Sequence, residues 1–142
     1  MSTRSLVRFA KREEGVSFSE HTERVEVQVY KHFDGYPSGH PVELAEFLKE
    51  FKIVNGLPYG DDSKMANGLG CLAAQYIAAF KMKAGDIYVE SPDTERDWIE
   101  YITYVWGTDN KDIWMSIFDI EDGCIFVGKP QELIDKYEYS DN

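Results

Sequence analysis

Between Pro41 and Lys83 the apolar residues recur every three or four positions, whereas on either side of that stretch they alternate one by one. This switch of period, from 2 to 3.6 and back to 2, constrains the fold more than any other feature of the chain. "SLVRFA" (5–10) and "RVEVQVYKHF" (24–33) read as the strands of an N-terminal hairpin. In the second, alternation puts Val25, Val27 and Val29 on a core face and Glu26, Gln28, Tyr30 and His32 on a polar one. "HPVELAEFLKEFKIVNG" (40–56) follows as an amphipathic helix. Pro41 suits its first turn, Leu44, Phe47, Leu48, Phe51 and Val54 form its stripe, and Asn55-Gly56 stops it. Ser63 is placed to cap a second helix (64–83) with the stripe Met65, Leu69, Leu72, Tyr76 and Phe80. Its remaining surface is so poor in polar groups that burial on most sides is expected.

From Asp86 onward alternation returns. Strands are predicted at 86–90, 98–106, 113–120 and 124–128, joined by turn-rich segments, and Pro130 opens a short helix. Strands, then two helices, then strands, then a helix predicts an α+β fold. Its mostly antiparallel sheet, an N-terminal hairpin plus a C-terminal meander, packs against two central helices, with a short C-terminal helix. At 142 residues the chain reads as a single domain, 1–142, with its first few residues and 138–142 expected to fray.

The formal net charge is -11. Such a chain repels phosphate backbones, so neither nucleic acid nor an anionic membrane is expected as partner. No run approaches the roughly 18 apolar residues of a membrane span, and the N-terminus lacks the apolar core of a secretory signal. Cys71 and Cys124 are read as two buried, reduced thiols of a cytoplasmic protein.

The densest chemistry lies in "VYKHFDGYPSGHP" (29–41). Tyr30, His32, Asp34, Tyr36 and His40 are the ligand-binding candidates. Were Asp34 to turn back toward His32 and His40 to join them, the three could hold a divalent cation or accept a proton. Their spacing is not diagnostic of a metal, and Asp-Gly and Tyr-Pro are also ordinary turn chemistry. A structural corner and a ligand site therefore stand as alternatives. The stretch also carries a resemblance. "MSTRS" at the start, followed by Tyr-x-His-x-Asp-Gly-Tyr-Pro, resembles a recurring group of small phage and prokaryotic proteins without an assigned activity. Phe33 occupies a variable slot, and the charged insert from Lys11 to Glu23 is longer than in that pattern. The resemblance implies a small cytoplasmic protein of viral or mobile-element origin and supplies no catalytic residue.

"GLGCLA" (68–73) imitates a dinucleotide fingerprint, with Glu90 at the matching distance, but the chain lacks alternating strand–helix–strand units. Close helix packing is the expected reason for Gly68 and Gly70. No cofactor is expected. Trp98, Tyr104 and Trp106 fall on one face of a central strand, and with Trp114 they are the candidates for an oligomer or partner interface. No catalytic residue is assigned, because no nucleophile, phosphate-loop or metalloprotease motif occurs. The leading expectation is a small acidic protein that acts by binding a protein partner or itself. The alternative is a small-ligand or metal-binding protein, even a hydrolase, built on the 30–40 turn.

Overall fold

Hairpin and meander prove to be parts of one sheet, joined by a parallel pair. A computed structural model describes residues 2–11, 24–54, 64–107 and 112–139. The hairpin strands are β1 (Ser5–Lys11) and β2 (Arg24–Lys31), followed by α1 (His40–Leu48). Two three-residue strands come next, β3 (Lys52–Val54) and β4 (Met65–Asn67), then α2 (Gly68–Phe80). β5 (Tyr88–Glu90), β6 (Tyr101–Gly107), β7 (Ile113–Asp119), β8 (Gly123–Gly128) and α3 (Pro130–Tyr137) complete the described elements. The main sheet runs β5-β2-β1-β6-β7-β8, and only β1 and β6 are parallel. The fold is α+β, with a mostly antiparallel sheet.

The helices lie on one face of that sheet. Val7, Phe9 and Val29 meet Leu44, Leu48, Leu72, Tyr76 and Leu133 in the main core. α3 shows why burial rather than propensity makes a short helix. Eight residues are too few to be helical alone in water, but Leu133 and Ile134 are fully buried, worth about 1.5–3 kcal/mol each. On the other face Ala10, Tyr104 and Trp106 form a second cluster.

Several expectations are corrected here. β1 and β2 shift register between Phe9 and Ala10, so that Phe9 pairs with Val27 but Ala10 with Val25. The extra residue reverses the alternation, and Val25 joins the second cluster instead of the Val27 and Val29 face. α1 ends at Leu48 rather than continuing through Val54. The Phe51 N–H bonds back to the Leu48 carbonyl in a turn, and the β-branched Ile53 and Val54 pair with β4. α2 buries only Leu72, Ala73 and Tyr76, leaving Gly70, Cys71, Ala74, Ala78 and Ala79 exposed, because the sheet covers one side alone. Close packing does not explain its glycines: a Cβ on Gly68 or Gly70 would meet nothing among the described residues within 4 Å. Nor are the cysteines both buried, since Cys71 is exposed and Cys124 half-buried, with neither in a disulfide. Trp98, expected to open the strand 98–106, lies before it, because β6 begins at Tyr101. The Asn55-Gly56 stop, the Ser63 cap and the last three residues lie outside the described residues. No helix among the described residues is long and apolar enough to cross a membrane.

Candidate functional site

The 29–41 stretch is built as a corner whose two histidines part company. Asp34 takes a left-handed backbone (φ 59°), a conformation that Asp tolerates better than most residues. Its carbonyl accepts the His40 N–H at 2.7 Å, and its carboxylate accepts the Tyr36 hydroxyl at 3.2 Å. The Gly35 N–H bonds to the Thr3 carbonyl, tying the corner to the start of the chain. A Cβ on Gly39 would stand 2.3 Å from the Asp34 oxygen, and one on Gly35 2.5 Å from Ser5. Both positions therefore require glycine for space.

Tyr30 and His32 do stay together, with the hydroxyl 2.6 Å from Nδ1. Asp34 makes its side-chain hydrogen bond to Tyr36 instead of turning back to His32. His40 goes to the helix side, where it packs against Tyr76 and Phe80. The cluster of His32, Asp34 and His40 is thus not assembled. Among the described residues no group of three or more His, Cys, Asp or Glu could hold a metal ion.

His40 is the chemically distinctive member. Its Nε2 lies 2.6 Å from the Tyr76 hydroxyl, and both residues are buried. That hydroxyl has no other hydrogen-bond partner among the described residues, so its proton is best donated to Nε2, which leaves the imidazole proton on Nδ1. Nδ1 is buried and, among the described residues, has no well-formed hydrogen bond; the Glu43 carboxylate stands 3.5 Å from it. Burial lowers the pKa of His40, only partly offset by Glu43, and pushes the Tyr76 hydroxyl far above its ordinary range. Contact with His40 holds the Glu43 carboxyl below its usual range. His40 and Glu43 line a cavity of about 370 Å³ with Lys31, Lys83 and Asp86.

A second polar site escaped the sequence reading. Gln28, expected on the polar face of its strand, is fully buried. It accepts from Arg8 Nε at 2.8 Å and donates to Glu90 at 3.1 Å and to the Thr94 carbonyl at 3.0 Å. Arg8 also donates to the Tyr104 hydroxyl at 2.9 Å, while Arg96 pairs with Glu90 and stacks 3.9 Å over Tyr30. The network pins segment 91–100 across the sheet and occupies Glu90, the residue that matched a ribose-binding position. The signal was present in register only: Gln28 and Glu90 are cross-strand neighbours, which a single sequence does not reveal.

The aromatic interface candidates also separate. Tyr104 (5% exposed) and Trp106 (2%) are buried within the chain and cannot offer a bare face, while Trp114 is half-buried. Trp98 is 80% exposed and has a left-handed backbone (φ 67°), an unusual state for so bulky a residue. It borders a groove of about 430 Å³ with Ser2, Arg4, Ile99 and Glu100. Ile99 and Glu100 also line an adjoining recess of about 220 Å³ with Tyr101, Asp119, Ile120 and Glu121. Ile120 is likewise exposed. The combined groove thus presents the apolar side chains of Trp98, Ile99 and Ile120 among three carboxylates and one guanidinium. Burial raises the Tyr101 hydroxyl's pKa here, and the charges of Asp119 and Glu100 push it further in the same direction.

Comparison with protein-family models, curated proteins and solved structures returns no match. The chemistry therefore rests on the geometry of these sites.

Proposed function

We propose that this protein acts by binding, as a small cytoplasmic module that holds a basic, apolar-anchored segment of a partner protein in the groove around Trp98. The observation that carries this reading is Trp98 itself, 80% exposed on a left-handed backbone. A conformation that costs about 1–3 kcal/mol is kept here for a ring that packs little inside the chain. Large aromatic side chains of this kind are the usual anchors of protein interfaces.

Charge supports the choice of partner. Glu100, Asp119 and Glu121 flank the apolar floor, and the chain carries -11 overall. Such a field speeds encounter with a basic segment and opposes nucleic acid, and it also opposes pairing of the groove with a second copy of itself. The resemblance to small phage and prokaryotic proteins is compatible with a viral or mobile-element role as an adaptor.

Titrating the ¹⁵N-labelled protein with a peptide of alternating Lys and Leu tests the reading. Shift changes are expected at Trp98–Tyr101 and Asp119–Glu121. Trp98→Ala should weaken binding by at least about tenfold, or ~1.4 kcal/mol. Affinity should also fall as salt rises from about 0.01 M to about 0.1 M, which shortens the screening length from about 30 Å to about 10 Å. Equal binding of a Glu/Leu peptide, or undiminished binding by Trp98→Ala, would overturn it.

A further inference from the structure

The cavity beside His40 lies among α1, α2 and the turn leading to β5, and it is independent of the Trp98 groove. Its walls carry four charged side chains, Lys31, Lys83, Glu43 and Asp86, with apolar surface from Ala79, Phe80, Met82 and Ile87. Among the described residues neither lysine forms an ion pair within 4 Å, although Lys31 is near enough to act on His40, Glu43 and Asp86 together. At about 370 Å³ the cavity lies near the lower end of small-molecule sites, roughly 300–1,000 Å³.

Three observations point to an occupant. The first is the buried Nδ1 of His40, a residue of the cavity lining: among the described residues this atom has no well-formed hydrogen bond, only the Glu43 carboxylate 3.5 Å away. Buried polar atoms are normally satisfied, and an orphan beside a cavity invites a ligand atom. The second is Met82, whose apolar side chain is 80% exposed at the rim. The third is charge balance. Two cations and two carboxylates around a neutral imidazole cancel, so a pure anion would face both carboxylates and a pure cation both lysines. A net-neutral ligand with separated charges satisfies all four.

We infer that this cavity binds a small zwitterion, an α-amino acid with an apolar side chain. Its carboxylate lies between Lys31 and Lys83 and accepts the Nδ1–H of His40. Glu43, whose side chain is 60% exposed, swings outward onto the ammonium together with Asp86. Asp86 is already held by the N–H groups of Met82 and Lys83 at 2.8 and 2.9 Å, so it is pre-oriented for that role. The ligand's side chain covers Phe80 and Met82. Tyr76 acts behind the site, fixing the tautomer that makes Nδ1 a donor.

Titration of the ¹⁵N-labelled full chain with free leucine, methionine and phenylalanine tests this. At least one should shift the amides of Lys31, Glu43 and Phe80–Ile87. 4-Methylpentanoate, which lacks the amino group, and 3-methylbutylamine, which lacks the carboxylate, should each bind at least about tenfold more weakly than leucine. Lys83→Ala and Glu43→Gln, both at exposed positions where substitution should cost little stability, should each weaken binding about tenfold or more. His40→Gln should do the same, and should it fail to fold, the two surface variants carry the test. Absence of shifts at these residues with all three amino acids overturns the inference, as does equal binding of the bare carboxylate.

Discussion

The Tyr76 hydroxyl and the Nε2 of His40 stand 2.6 Å apart in the core, linking the first turn of α1 to the middle of α2. Among the described residues each is the other's only strong polar contact at that atom, so removing one strands the other. Tyr76→Phe should cost about 1–3 kcal/mol, read as a lower urea midpoint at unchanged slope.

The same pair sets a pH dependence. Burial places the folded-state pKa of His40 below its unfolded value, about 6.5. The unfolded chain therefore binds the extra proton first as pH falls. Stability from this group is complete above about pH 6.5 and is lost as pH falls from there toward the folded pKa. The lowered carboxylates, Glu26, Glu43, Asp86 and Asp112, lose theirs only at more acidic pH, through the ordinary carboxylate range. Between pH 7.5 and 5.5 the wild type should lose stability on urea titration, and His40→Gln should flatten the slope.

Gly39 and Gly70 should respond oppositely to Ala. At Gly39 the new methyl would stand 2.3 Å from the Asp34 carbonyl, part of the corner's backbone, and at least about 1–3 kcal/mol is expected to be lost. Gly70 lies in α2 with nothing described within 4 Å, so Gly70→Ala should gain about 0.5–1 kcal/mol from helix propensity. Thermal melts of the two variants would settle both.

Trp98→Gly should stabilise the chain by about 1 kcal/mol, because glycine adopts the left-handed backbone without the steric penalty and little burial is lost. Coupled with loss of peptide binding, this would mark Trp98 as a residue kept at a cost in stability. A variant less stable than wild type on thermal melting would count against the strain.

Thiol reagents should distinguish the cysteines. Cys71 is exposed on α2, whereas Cys124 is half-buried in β8 with its Sγ directed to the Phe126 carbonyl. Mass spectrometry should show one rapid modification, absent in Cys71→Ser, and a slower second.

The elements were mostly legible because they rest on local pattern. Alternation located the sheet strands, and the stripe of Leu44, Phe47 and Leu48 located α1. The errors fell where a non-local pairing competed with a local one. Ile53 and Val54 continued a helical stripe yet took extended pairing with β4, and one bulge beside Phe9 moved Val25 to the other face. The site was legible only as a neighbourhood. The 29–41 stretch was the right place to look, but Lys83 and Asp86, which complete the His40 cavity, come from the turn between α2 and β5.

By itself the sequence determined the fold class, the acidic surface and the residues able to make a corner at Asp34-Gly35, because periodicity, charge and glycine sterics are properties of short segments. Tertiary structure alone decided the rest: that β1 lies parallel to β6, that Gln28 is buried, and that His32 and His40 serve different clusters. It also decided that Trp98 faces solvent while Trp106 does not. Each depends on which distant residue arrives opposite, and thus on register and packing between segments.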